Sequence, residues 1–80
     1  MWKITQDYID EGQSLGVCST DCTDTAVLPH RFRMIDGDGV PYYEGLSDDD
    51  NSFDPLDDFG TGNGGAASIE YFVQGTWQQL

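Results

Sequence analysis

The feature that most constrains the fold is a pair of alternating runs on either side of Asp36-Gly37-Asp38-Gly39. Upstream, His30-Arg31-Phe32-Arg33-Met34-Ile35-Asp36 puts Phe32 and Met34 on one side and Arg31, Arg33 and Ile35 on the other. Downstream, Val40-Pro41-Tyr42-Tyr43-Glu44-Gly45-Leu46 makes the return. Successive side chains of a strand point to opposite faces, so each run reads as a half-buried strand. Asp-Gly supplies the turn, because glycine accepts the positive φ that tight hairpins need. Pro41 has no N–H to give to a ladder and fits the start of a strand or an edge. Tyr42 and Tyr43 must face opposite ways, one into the core and one toward a partner. Tyr43 counts among the candidate contact residues.

The rest of the chain extends this sheet. Residues 2–9 place Trp2, Ile4 and Tyr8 at alternate positions, which predicts a strand. Residues 10–29 show no period and read as a long connection, with room for one turn of helix. Residues 47–52 form a charged loop. Residues 54–59 predict a short helix, with Asp54 as N-cap, Pro55 at the first position and Gly60 as the stop. Leu56 and Phe59 would bury one face of it. Gly62, Gly64 and Gly65 read as a flexible link. Residues 68–73 and 76–80 predict two more strands around a turn at Gln74-Gly75. The expected fold is α+β: a small antiparallel sheet of about five strands, one short helix and long acidic loops, in a single domain over residues 1–80. A domain of this size buries only about 60% of its extended-chain surface, so ten aromatic residues must anchor a thin core.

Charge then narrows the function. Fifteen Asp and Glu face three Lys and Arg, for a net charge of -12. Twelve of the fifteen acids are Asp, a residue of turns and strand ends rather than helix faces. From Met34 to Leu80 there is no Lys or Arg, and Glu44 to Asp58 holds seven acids. On sequence alone nothing in that half can neutralise them by ion pairing. Such a surface favours docking on a basic partner, because complementary charge steers encounter. The bland alternative is a solvated acidic loop that serves solubility. The candidate contact residues are Asp36, Asp38, Tyr43, Glu44, Asp48, Asp49, Asp50, Asp54, Asp57 and Asp58. Asp7, Asp10 and Asp21 lie nearer the few bases or in the unassigned connection and are expected to matter less.

Other chemistries fit poorly. A calcium loop begun at Asp48 has Phe53 at the sixth position and Phe59 at the twelfth; one begun at Asp36 has Pro41 and Ser47. Cys18, Cys22 and His30 fall short of a four-ligand zinc set. The two cysteines read better as small buried thiols or as a loop disulfide formed by oxidation. No Gly-x-Ser-x-Gly elbow accompanies His30, and Gly60-x-Gly62-x-Gly64 lacks the lysine of a phosphate loop. No cofactor, metal or catalytic residue is expected. No run of about 18 apolar residues and no signal-peptide core occur, so the expected location is a cytosol, with reduced thiols.

The stretch His30-Arg31-Phe32-Arg33-Met34-Ile35-Asp36-Gly37-Asp38-Gly39-Val40-Pro41-Tyr42-Tyr43-Glu44-Gly45 resembles segments of small acidic proteins of phages and mobile elements. So does Phe53-Asp54-Pro55-Leu56-Asp57-Asp58-Phe59-Gly60, followed by Ile69-Glu70-Tyr71 and a terminal Trp strand. In size and charge the chain is similar to phage anti-CRISPR proteins of the type I kind. The resemblance covers roughly the C-terminal two thirds. It implies a non-enzymatic inhibitor that acts in the host bacterial cytoplasm, binds the basic DNA-binding surface of a CRISPR effector complex and blocks target DNA, with neither nucleic acid nor membrane as a direct partner. The alternatives are an antirestriction DNA mimic and an accessory phage protein whose acidity serves solubility.

Overall fold

A computed structural model describes residues 1–80. It holds five strands: β1 (Trp2–Asp7), β2 (His30–Ile35), β3 (Pro41–Ser47), β4 (Ser68–Val73) and β5 (Thr76–Gln79). Between β3 and β4 runs one short helical segment, α1. It is a π-helical turn over Leu56–Gly60 continued by an α-helical turn over Thr61–Gly64. The sheet is antiparallel throughout, in the order β1-β3-β2-β4-β5.

The hairpin forms as its sequence dictates. Asp36 N–H donates to the Val40 carbonyl at 3.0 Å, and Gly39 takes φ 85°. Gln74 and Gly75, at φ 51° and 84°, make the second tight turn. The strict alternation expected of two strands breaks at irregularities. β1 bulges between Ile4 and Gln6, so Asp7 turns inward and Tyr8 outward. β3 carries one extra residue, Tyr42, between Tyr43, opposite Met34, and Pro41, opposite Ile35. β2 itself keeps regular register with β4, so Ile35 alternates with Met34 and stays outside the core cluster. A bulge puts two residues opposite one, which reverses the parity of everything after it.

One face of the sheet carries the core. Trp2, Ile4, Phe32, Met34, Tyr43, Ile69 and Tyr71 point into it, and α1 closes it with Leu56 and Phe59. Phe59 stacks edge-on against Tyr43 at 4.9 Å between centroids and tilts against Trp2 at 6.0 Å. Tyr43 is therefore a core residue, 2% exposed, and reaches no partner; Tyr42 is the half-buried member of the pair.

The helical segment differs from its expected bounds. Asp54 makes no side-chain cap; its own N–H donates to Ser52 Oγ at 3.1 Å. Gly60 is not the stop, since its φ of -62° is helical and it lies against Met34. The stop is Gly65, at φ 71°, with Gly62 and Gly64 inside or ending the last turn. Gly65→Ala should cost about 1 kcal/mol, because a side chain disfavours the left-handed region. A shift in the urea midpoint at unchanged slope checks this.

The 10–29 connection is tied to the sheet. Ile4 N–H donates to Val17 O at 2.8 Å, Gly16 N–H to Ile4 O at 3.0 Å, and Ser19 N–H to Trp2 O at 2.9 Å. Residues 16–19 thus cover the free edge of β1, which would otherwise offer unpaired backbone groups.

The opposite face of the sheet has no covering layer. Lys3, Leu46, Arg31, Phe72 and Trp77 line up across all five strands on it. Arg31 lies over the Phe72 and Trp77 rings, at 5.1 and 5.3 Å, and Arg33 over Trp77 at 4.4 Å. All three Lys and Arg side chains of the chain are on this face. No helix is long and apolar enough to cross a membrane.

Candidate functional site

The Asp-rich stretch after β3 is built as a run of local turns. Ser47 is buried, and its Oγ accepts from Asp49 N–H at 3.1 Å. Asp49 Oδ1 accepts from Asn51 N–H at 2.8 Å. Short polar side chains favour this bonding to backbone two residues on. The loop is then pinned to the core by Tyr71, whose hydroxyl donates to the Ser52 carbonyl at 2.7 Å. Burial pushes the Tyr71 hydroxyl up to about 12, so it remains a donor at any ordinary pH. Asp48, Asp49, Asp50, Asp54, Asp57 and Asp58 are all exposed on this loop and the start of α1.

The ten sequence-derived residues do not form one patch. Asp36 and Asp38 lie at the turn end of the β2–β3 ladder, and Asp48 to Asp50 follow its other end. Six paired residues at about 3.3 Å each separate the two groups. Asp36 is also committed to its turn: its Oδ1 accepts from Asp38 and Val40 N–H, each at 2.8 Å. The bond from Val40, and a second from Asp38, outweigh desolvation and hold its carboxyl below the usual range. Glu44 sits on the uncovered face, bonded to the Tyr8 hydroxyl and paired with Arg31 at 3.4 Å. What remains together is Asp48, Asp49, Asp50, Asp54, Asp57 and Asp58.

Local cations do reach part of this group, contrary to the sequence expectation. The N-terminal ammonium of Met1 lies 2.9 Å from Asp48 and 3.9 Å from Asp21. The bond to Asp48 raises the ammonium above its ordinary range. His30 Nδ1 lies 4.0 Å from Asp50, a contact that is an ion pair only when the imidazole is protonated. Asp49, Asp54, Asp57 and Asp58 have no cation partner.

Sequence reasoning missed a cavity beside these acids. It measures about 590 Å³ and lies between the N-terminus of β1, the 17–21 segment and α1. Trp2 and Phe59 form apolar wall, and Asp21, Asp54 and Asp58 contribute carboxylates. Trp2 is 5% exposed, and its indole Nε1 is the one buried side-chain polar atom without a hydrogen-bond partner. A buried donor left unmade costs about 1–3 kcal/mol. Nothing in the spacing of residues 17–21 signals that they fold against Trp2; the contact follows from the edge pairing with β1.

Asp7, which the sequence left outside the contact set, has a structural role. It is 9% exposed and its carboxylate accepts three backbone N–H bonds, from Ile9 at 3.1 Å and from Asp10 and Ser14 at 3.0 Å. Burial acts to raise its carboxyl, but these bonds prevail and hold it below the usual range. Asp7 organises the 8–14 loop and is not a neutral control acid.

Cys18 is exposed and Cys22 half-buried, so they are not the buried thiols expected; both are free. Desolvation, then the neighbouring Cys18, pushes the Cys22 thiol up. No three His, Cys, Asp or Glu side chains are grouped to hold a metal ion. Compared with protein-family models, with curated proteins and with solved structures, the chain shows no match in any of the three.

Proposed function

We propose that this chain is a non-catalytic inhibitor that lays its Asp48–Asp58 surface on a basic, DNA-binding surface of a host defence complex. The observation that carries this reading is a set of exposed carboxylates on and beside a loop bonded to itself and to Tyr71, four of which lack any cation. Carboxylates so placed meet the Lys and Arg side chains that otherwise hold phosphates. Because the loop is bonded to itself and to Tyr71, little ordering entropy is lost on docking. The resemblance to type I anti-CRISPR proteins makes a CRISPR effector complex the first partner to test, with loss of target DNA binding as the readout.

The test compares wild type with Asp48→Asn, Asp49→Asn and Asp50→Asn combined. Asparagine keeps the shape and the acceptor oxygen that Asn51 N–H needs. Three lost contact charges should weaken binding by about tenfold or more, and raising salt should weaken wild type in the same sense. Melting temperature should stay level, as relief of self-repulsion offsets the lost Met1 pair. The control neutralises Asp10, Glu11 and Asp24, which are exposed on the 10–29 connection, and spares Asp7. Equal affinity of wild type and the Asp48–Asp50 variant, or binding indifferent to salt, refutes the reading.

A further inference from the structure

We propose that the outer edge of β5 is a dimer interface, where a second copy of this chain adds its own β5 antiparallel to make one continuous sheet. The two edges of the sheet differ. That of β1 is covered by residues 16–19, whereas β5 ends the strand order with nothing beyond it. Ladder parity says which groups are free there. Val73 and Thr76 pair across the Gln74-Gly75 turn, and Leu80 N–H donates to the Ile69 carbonyl at 3.2 Å. Residues 76, 78 and 80 therefore bond inward to β4, and Trp77 and Gln79 turn their N–H and C=O outward. No backbone group takes them up from that side. The Trp77 ring leans back over the sheet, 5.2 Å from the Phe72 ring and 4.4 Å from the Arg33 guanidinium, and leaves the edge open. Native sheets blunt such edges with lysine, proline, a bulge or an inward charge. β5 has none of these: its register with β4 is unbroken, and residues 71–80 carry no charged side chain.

A second copy is the occupant that fits this edge. One register uses both outward residues of each copy: Trp77 opposite Gln79 and Gln79 opposite Trp77, about a two-fold axis at Gln78. Each of those pairs exchanges both backbone bonds. Gln78, which is exposed, then lies opposite its own counterpart. A residue on a two-fold axis must suit its own kind. Two carboxylates or two ammoniums there repel, but an amide both donates and accepts. Charge selects the same place. Each copy carries -12, so copies repel over most of their surface, and an uncharged edge is where approach costs least. The assembly also closes. Because residues 16–19 cover the β1 edge, the joined sheet has no free edge left to grow from. The contact is small: residues 76–80 of two copies bury less than the roughly 1,200 Å² of a stable complex, so the dimer forms and dissolves with concentration. Opposite side chains of an antiparallel pair share a face, so both α1 segments fall on the same side of the joined sheet.

The experiment follows the ¹⁵N-labelled full chain by sedimentation and amide shifts, at rising chain concentration and at low and high salt. Mass should move from monomer to dimer and stop there, with shifts centred on Trp77, Gln78 and Gln79. High salt should strengthen the dimer, because it screens repulsion between two anions. Docking on a basic surface has the opposite salt dependence, which separates the two readings. The Asp48–Asp50 asparagine variant should likewise dimerise no more weakly than wild type. Gln78→Glu and Gln78→Lys should each weaken the dimer several-fold with spectral dispersion retained, and an equimolar mixture of the two should recover it. Gln79→Pro removes an outward donor and no ladder bond, and should weaken the dimer about tenfold or more. Should a variant fail to fold, the concentration and salt series of wild type decides alone. A monomer at every concentration, a dimer that weakens with salt, growth beyond the dimer, or a mixture no better than its components overturns the proposal. A chain that stays monomeric while an uncharged, capped Thr/Val strand peptide shifts Trp77 and Gln79 takes a foreign strand there, and overturns the second copy.

Discussion

Gly45→Ala should destabilise the protein by about 3 kcal/mol or more, although it adds a single methyl group. Gly45 lies in the middle of β3, where its Cα faces the core side of the sheet. A Cβ there would run into the backbone oxygen of Lys3 on one neighbouring strand and the Phe32 ring on the other, with Phe32 Cε2 at 2.9 Å. The ring could swing, but the Lys3 carbonyl belongs to the ladder and cannot. In a domain of this size each kcal/mol moves the melting temperature by roughly 4–8 °C, so the fall should exceed about 12 °C. Gly62→Ala is the matched control. A Cβ at Gly62 meets nothing within 4 Å, and the position is helical, so alanine there should stabilise by up to about 1 kcal/mol. Equal melting temperatures for the two variants would refute the close packing of β1 and β3 at this point.

Asp7→Ala should cost about 3 kcal/mol, more than any other single acid in the chain. Three N–H groups of the 8–14 loop lose their acceptor at once, and hydrogen bonds to a charged group are worth more than neutral ones. The effect should depend on pH in a definite sense. The folded carboxyl lies below its unfolded value, so its contribution is complete above the ordinary carboxylate range. It disappears as pH falls through the lowered folded value. The stability gap between wild type and Asp7→Ala should therefore be full at pH 7 and narrow below about pH 4. Urea melts of both proteins at pH 7, 5 and 3 read this directly. Taking the difference cancels the general relief of repulsion as the other acids protonate. A gap that widened on acidification would contradict the bonding pattern around Asp7.

Local signals in the sequence were read correctly where one segment decides its own conformation. Asp36-Gly37-Asp38-Gly39 and Gln74-Gly75 form turns because the residues themselves tolerate the required φ. The alternation of Phe32 with Arg31 and Arg33, and of Tyr71 with Phe72, survives because one face is wholly buried. What failed depended on partners. The bulge in β1 is a property of the β1–β3 pair, and it alone turns Asp7 in and Tyr8 out. Whether Tyr42 or Tyr43 is core hangs on the parity of β3 against α1, which no reading of two adjacent tyrosines supplies. Gly60 and Gly65 look equally fit to end a helix. Only close approach to Met34 explains the first, and only a φ of 71° marks the second. The acidic surface was half legible. Its loop members follow from consecutive Asp residues, but the separation of Asp36, Asp38 and Glu44 from them needed the sheet.

The three cationic side chains, drawn from two strands far apart in sequence, all emerge on the face of the sheet away from α1. Glu44 and Glu70 pair with Arg31 and Arg33 there and Asp24 lines a hollow beside Lys3, whereas Asp54, Asp57 and Asp58 lie on the α1 side with no cation partner. The molecule is therefore an electric dipole as well as a net anion. In the field of a basic surface it feels a torque before it makes a contact. That torque turns the Asp48–Asp58 side forward and the Arg31–Trp77 side to the rear. Random collision wastes most encounters on wrong orientations, which is what holds ordinary association rates far below the diffusion limit. A chain that rotates during its approach recovers part of that loss. Its capture rate should owe as much to where Lys3, Arg31 and Arg33 are absent as to where the aspartates are present.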